Sequence, residues 1–410
     1  MSQVEKINST KIDELMKEYG DAFYILDSKQ FKQNFSELKE AFSAIYPNFN
    51  IAYSYKTNYT PELCRIVNEL GGFAEVVSDM EMEIALRVGV SPSNIIWNGP
   101  YKNSKKVEEL LLRGGVVNLD NAVDTEYLKK ISAKYPNNRL RVGIRCNFDI
   151  GDGVISRFGY DIESKDFAEA LALVNEKDNV VLNGLQCHFA TRSLDTWRPR
   201  AEKMIALLDK YGLCPDYVDL GGGLFGKMHD SLKVQFNTKI PTYEEYATEV
   251  APLFRERYGK EKKRPTLLIE PGSALVGDCM RFASRVECIK TVNKKPIATL
   301  LGSIYNINPT LNKKNPPLQV LPVGLGERKK YENLDFGGFT CIESDYLYRG
   351  YSGELAVGDI VVFGNVGSYS VVLKPPFILP NFPILEIAER ECKVVKRAEN
   401  FDDLFHTFSF

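Results

Sequence analysis

Histidine is scarce in this 410-residue chain: there are only three, at 188, 229 and 406, and no two are neighbours. A zinc site built on imidazole would need unusual ligands, so no metal is expected. The eight cysteines contain no C-x-x-C pair, and reduced thiols are expected. No apolar run approaches the roughly 20 residues needed to cross a bilayer. The opening segment, MSQVEKINSTKIDELMKEYGD, is too charged for a signal peptide, so a soluble cytoplasmic protein is expected. Charge of one sign is also lacking: 52 basic against 54 acidic residues leave a net charge of -2, which offers no field for nucleic acid or an anionic membrane.

What is present is alternation. Short β-branched or aromatic runs at 50–55, 73–77, 95–98, 116–119, 140–144, 184–188, 217–220 and 266–269 are separated by turns and amphipathic helical stretches. Pro61 suits a first helical turn and Gly212 a C-terminal cap. Eight strand and helix pairs over this length predict a parallel (β/α)8 barrel of the TIM type, an α/β fold, with an open doubly wound sheet as the alternative. After Pro271 the texture becomes all-β, with candidate strands at 282–292, 297–301, 360–363 and 369–373. The run 20–27 reads as a strand that pairs with this later part. The expected domains are therefore a barrel over 29–270 and a β-rich domain from 1–28 and 271–410.

Barrel enzymes build their sites at the C-terminal ends of the strands. There this chain places Lys56, Ser78 and Glu81, Asn98, Arg145, His188, the glycines 221, 222 and 223, and Glu270. The stretch DLGGGLFGKM spells G-x-G-x-x-G, but residues 227–237 lack the apolar periodicity of a Rossmann helix. It nearly spells a P-loop, but Met228 stands where a magnesium-binding hydroxyl is needed. What survives is a glycine turn whose backbone N-H groups can approach an anion, commonly a phosphate at this place in a barrel. A strand-end lysine is most often a solvated terminus. Opposite a phosphate cradle it can instead form a Schiff base, and that combination points to pyridoxal 5'-phosphate. Glu270 would then keep the pyridine nitrogen protonated, and His188 would stack on the ring or be an ordinary satisfied histidine. The stretch 148–156 reads as a loop over the site or as a plain surface loop.

The chain resembles the fold-type III pyridoxal phosphate decarboxylases, which include diaminopimelate and ornithine decarboxylases. The resemblance covers most of its length. It rests on SYKTN at Lys56, S-x-x-E at Ser78 and Glu81, SRFG at 156–159, LGGG, EPG at 270–272, C-x-x-x-D at Cys341 and Asp345, and GSY at 367–369. It implies decarboxylation of an α-amino acid, with Lys56 and Cys341 catalytic and Cys341 as proton donor. It also implies a homodimer with shared active sites, in which Cys341 and Asp345 reach the partner's cofactor, and a phosphate contact from Tyr369.

Two departures bear on the substrate, whose binding is assigned to Ser273, Ile342, Glu343 and Asp345. Ser273 stands where the resembled family has an arginine that helps bind the distal end of diaminopimelate. Ile342 stands where an acid usually recognises a distal amine, and Glu343 is one position away. Glu75 lies near a position where the resembled family usually has an aspartate. A biosynthetic decarboxylase for an amino acid with a modified or extended distal group is expected. Diaminopimelate decarboxylase of lysine biosynthesis, a carboxynorspermidine-type polyamine decarboxylase and a non-catalytic regulatory homologue are the alternatives. An amino-acid racemase on the same barrel is less favoured, because C-x-x-x-D fits decarboxylation.

Overall fold

The computed structural model describes residues 9–374, 376–387 and 391–409. Residues 1–8 of the charged opening segment lie outside the described residues. Two compact units divide the chain, one from residues 32–226 and 238–275, the other from 9–31, 227–237 and the described residues after 275.

The first unit is the barrel. Its strands are Phe49–Ser54, Phe73–Val76, Ile95–Trp97, Val116–Leu119, Leu140–Asn147, Val180–Gln186, Tyr217–Asp219 and Thr266–Ile269, each parallel to its neighbours. Pairing of Val116–Leu119 with Leu140–Ile144 closes the ring, which decides against an open sheet. The strand residues are almost all buried because helices cover the outside of the ring and side chains fill its inside. Pro61 opens the helix Pro61–Glu69, and Gly212, with φ +62°, caps Trp197–Tyr211. Two strand glycines make the interior possible. A Cβ on Gly184 would lie 2.0 Å from the Tyr217 ring, and one on Gly143 would lie 1.8 Å from Asn118 Oδ1.

The second unit is all-β around one large sheet. Ala22–Leu26 runs antiparallel to Met280–Val292 and parallel to Ile384–Ile387, so the early strand does join the late one. The helix Ser9–Tyr19, which composition alone did not suggest, adds Ile12, Leu15 and Met16 to a core with Phe23, Ile25, Ala283, Ile360 and Leu385. Strands at Leu318–Leu321, Lys329–Gly337, Tyr346–Leu355 and Cys392–Lys396 also escaped the sequence pattern, because most of their residues are only partly buried or exposed and carry little apolar alternation.

One expected strand is absent. Residues 369–373 form a turn, with Tyr369 at φ +64° and its carbonyl accepting from the Leu373 N-H at 2.9 Å. Here the left-handed residue turns the backbone out of the pleat, so the β-branched run that follows was misleading.

Candidate active site

At the barrel mouth the first strand runs directly into a single 3-10 turn, Tyr55–Thr57, and this turn delivers Lys56. Its ammonium donates to Glu75 Oε2 at 2.8 Å. The Lys56 side chain is 32% exposed and that of Glu75 0%, so the amine is reachable while its counter-ion is sealed. Ser54 also donates to Glu75, and Asn98 Nδ2 donates to its other oxygen at 3.0 Å. Burial alone would raise the Glu75 carboxyl, but the Lys56 charge and these donors outweigh it and hold it below its ordinary value.

From there a chain of amides crosses the barrel interior. Tyr217 OH donates to Asn118 at 2.7 Å, Asn118 donates to Asn98 at 2.7 Å, and Asn98 Nδ2 donates to Glu270 Oε1 at 2.5 Å. Gln186 Nε2 donates to the same Glu270 oxygen at 3.1 Å. The second oxygen, Oε2, is buried with no donor among the described residues. Burial, and then the charge of Glu75, push the Glu270 carboxyl up to about 7. Asp219, on the adjacent strand, is also pushed well up by burial and by Glu270.

The glycine turn follows Asp219, whose Oδ1 accepts from the Gly221 N-H at 2.8 Å. A Cβ on Gly221 would lie 2.3 Å from the Cys187 carbonyl oxygen, one on Gly222 2.6 Å from that of Glu270, and one on Gly223 2.8 Å from that of Phe189. Only glycine fits at all three. The N-H groups of Gly222 and Gly223 have no acceptor among the described residues, which is how an anion cradle is built. The only helix in the following stretch is four residues, Asp230–Lys233, so the dinucleotide-binding pattern fails structurally as well.

His188 is next to this turn: its Nε2 would be 3.1 Å from a Cβ on Gly222. Burial and the charges of Lys56, Arg145 and Arg200 hold its imidazole neutral. Ser78 has a different immediate task from a cofactor contact, since its Oγ caps the helix Asp79–Arg87 by accepting from the Glu81 N-H at 3.2 Å. Glu81 in turn accepts from the Val77 N-H at 2.7 Å, and burial pushes its carboxyl up to about 7. The stretch 148–156 is tied down at its start and its middle: Phe148 lies against Phe189 with ring centroids 5.3 Å apart, and Thr191 Oγ1 donates to Asp152 at 2.6 Å.

The remaining expected residues sit elsewhere in the chain. Ser273 begins the short helix Ser273–Val276, three residues after Glu270. In the β unit, Cys341 is exposed with a free thiol, Ile342 is half-buried and Glu343 exposed. Asp345 is buried and accepts from Ile304 N at 2.7 Å, Ser303 Oγ at 3.0 Å and Thr340 Oγ1 at 2.6 Å. Its carboxylate therefore shapes the turn that presents Cys341. Tyr369 is half-buried at its left-handed turn. Sequence reading missed Asn118, Gln186, Tyr217 and Asp219 as site components. A polar residue inside an otherwise apolar strand was the available signal.

The model of the pyridoxal-dependent decarboxylase family, pyridoxal binding domain, matches residues 28–277. A diaminopimelate decarboxylase of Aquifex aeolicus is 25% identical over 97% of this chain and 93% of its own length. An L-glutamyl-[BtrI acyl-carrier protein] decarboxylase of Niallia circulans is 22% identical over 98% of this chain and 96% of its own. The crystal structure of a diaminopimelate decarboxylase from M. jannaschii superposes with a TM-score of 0.85 at 21% identity, covering 97% of this chain and 94% of that one.

Proposed function

The chain belongs to the pyridoxal-dependent decarboxylase family and is a carboxy-lyase that uses pyridoxal phosphate on an amino acid; from that premise we propose that its substrate is an α-amino acid with a modified or extended distal group. The residues at the barrel mouth suit the cofactor. A reachable amine at Lys56 would hold its aldehyde, the free N-H groups of Gly222 and Gly223 its phosphate, and the donorless oxygen of Glu270 its ring nitrogen. Ser78 and Tyr369 are assigned as further contacts to it, and His188 to the face of the ring. When bound, the cofactor takes up the electron pair left on the α-carbon as carbon dioxide departs.

The protein's own part is positioning and proton control. Glu75 holds the Lys56 amine at the mouth, and the Asn98 and Gln186 amides fix the Glu270 carboxylate so that it can keep a proton on the group facing it. We assign Cys341 Sγ as the donor that returns a proton to the α-carbon. The homodimer with shared sites is part of this reading, with Cys341 and Asp345 serving the partner's site.

One observation carries the substrate: Ser273 and Ile342 are uncharged at the two positions where the resembled family has an arginine and an acid for a charged distal end. Glu343, one position on and exposed, would take the place of that acid only with a shift of the backbone. The Niallia relative, whose name specifies a glutamyl group on an acyl carrier, supports the reading. Diaminopimelate as substrate is the second reading, favoured by the names of several relatives.

Borohydride reduction of the resting enzyme, followed by mass spectrometry of the peptide carrying Lys56, weighs the group held there. The expected result is cofactor alone on Lys56 at rest and none on Lys56→Ala. With diaminopimelate, ornithine and amide-linked or carrier-linked amino acids offered in parallel, carbon dioxide release should be fastest with a linked one. Fastest turnover of free diaminopimelate would replace the proposal by the second reading.

A further inference from the structure

Arg200 lies in the first turn of the helix Trp197–Tyr211 and is completely buried. Burying a guanidinium is costly unless an opposite charge compensates it. Among the described residues Arg200 forms no ion pair, and every partner is a neutral oxygen. Nη1 donates to the carbonyls of Gly222 at 2.8 Å and Leu220 at 3.5 Å. Nη2 donates to the carbonyls of Thr191 at 2.7 Å and Phe189 at 3.4 Å, and to Thr196 Oγ1 at 3.4 Å. The guanidinium rests 4.5 Å from the Trp197 ring centroid. Burial pulls its pKa down to about 10, which leaves it charged at neutral pH.

The carbonyls that Nη1 gathers belong to the glycine turn. With the Leu220 and Gly222 carbonyls held by the arginine, the N-H groups of Gly222 and Gly223 are the ones without acceptors. A Cβ on Gly223 would lie 3.6 Å from Nη2, so the cation stands directly behind the turn. An anion on the turn would meet both the N-H groups and a positive charge that no ion pair neutralises, since Asp152 acts on it only from beyond pairing distance.

We propose that Arg200 is a positioning residue for the cofactor phosphate, locking the glycine turn in its anion-accepting form and supplying the buried charge that the phosphate compensates. The proposal rests on the pyridoxal phosphate reading of that turn. Its test compares two ligands on the apoprotein, pyridoxal 5'-phosphate and pyridoxal, which share ring and aldehyde and differ only in the phosphate. Absorbance titrations are made with wild type, R200K and R200Q. A charge-assisted contribution predicts that R200Q weakens the phosphate ester by about ten- to a hundredfold and leaves pyridoxal unchanged, with R200K recovering most of the loss. A parallel loss of both ligands, or no loss in R200Q, overturns the proposal. Should R200Q not fold, the 31P resonance of the wild-type holoprotein decides: the bound phosphate should stay dianionic well below its free pKa of about 6. Titration near that value would overturn the proposal. A wild-type protein that binds neither ligand would instead overturn the cofactor reading.

Discussion

Glu270 shows how burial and function pull one carboxyl in opposite directions. Without a cation facing its free oxygen, its pKa of about 7 means that the folded apoprotein resists ionising it. The unfolded value is near 4.5, so the folded state holds more protons across the interval between them. Stability from this group is therefore full below pH 4.5 and is lost as pH rises through 7. The loss is at most about 3 kcal/mol. Thermal unfolding of the apoprotein should show its melting temperature falling from pH 5 to 8, with a shallower fall in Glu270→Gln. An equal fall in the variant would mean that the raised carboxyl lies elsewhere, Glu81 being the other candidate near 7. Among site residues, Lys56, His188 and Glu270 were legible in the sequence because each stands at a strand end. The Asn98 bridge to both Glu75 and Glu270 was not, since it depends on side chains 23 and 172 residues away in the chain meeting inside the barrel.

At the scale of single elements, the turn after Asp219 is the most demanding. Its glycines approach the carbonyl oxygens of residues 187, 189 and 270, all from other strand ends. Gly222→Ala should shift the turn away from Glu270 and lower affinity for pyridoxal phosphate by about 5- to 150-fold, since displacing one such contact costs about 1 to 3 kcal/mol. Equilibrium titration of the apoprotein measures this, and an unchanged affinity would show that the phosphate sits elsewhere. All eight barrel strands were legible, with ends displaced by only a few residues, because buried parallel strands are near-continuous apolar runs bounded by turns. The same reasoning failed at 369–373, where the VVL run was read as strand while the left-handed Tyr369 sends the backbone into a turn.

For the molecule as a whole, the early strand Ala22–Leu26 is the telling piece, because it lies between two strands from the far end of the chain. Phe23 within it is completely buried. Phe23→Ala should cost about 3 to 5 kcal/mol, visible as an earlier midpoint in urea unfolding. A cost below about 1 kcal/mol would mean that the strand is peripheral to the β unit's stability.

Local pattern was enough to reveal the alternating elements, the lysine at the end of the first strand and the glycine turn, because each is a property of residue type within a few positions. The closing of the ring, the amide chain from Tyr217 to Glu270, the upward push that burial and Glu270 give Asp219, and the arginine behind the glycine turn had to await the fold. Each of these joins groups far apart in the chain, and their charges and hydrogen bonds acquire their strength only where packing has removed the water between them.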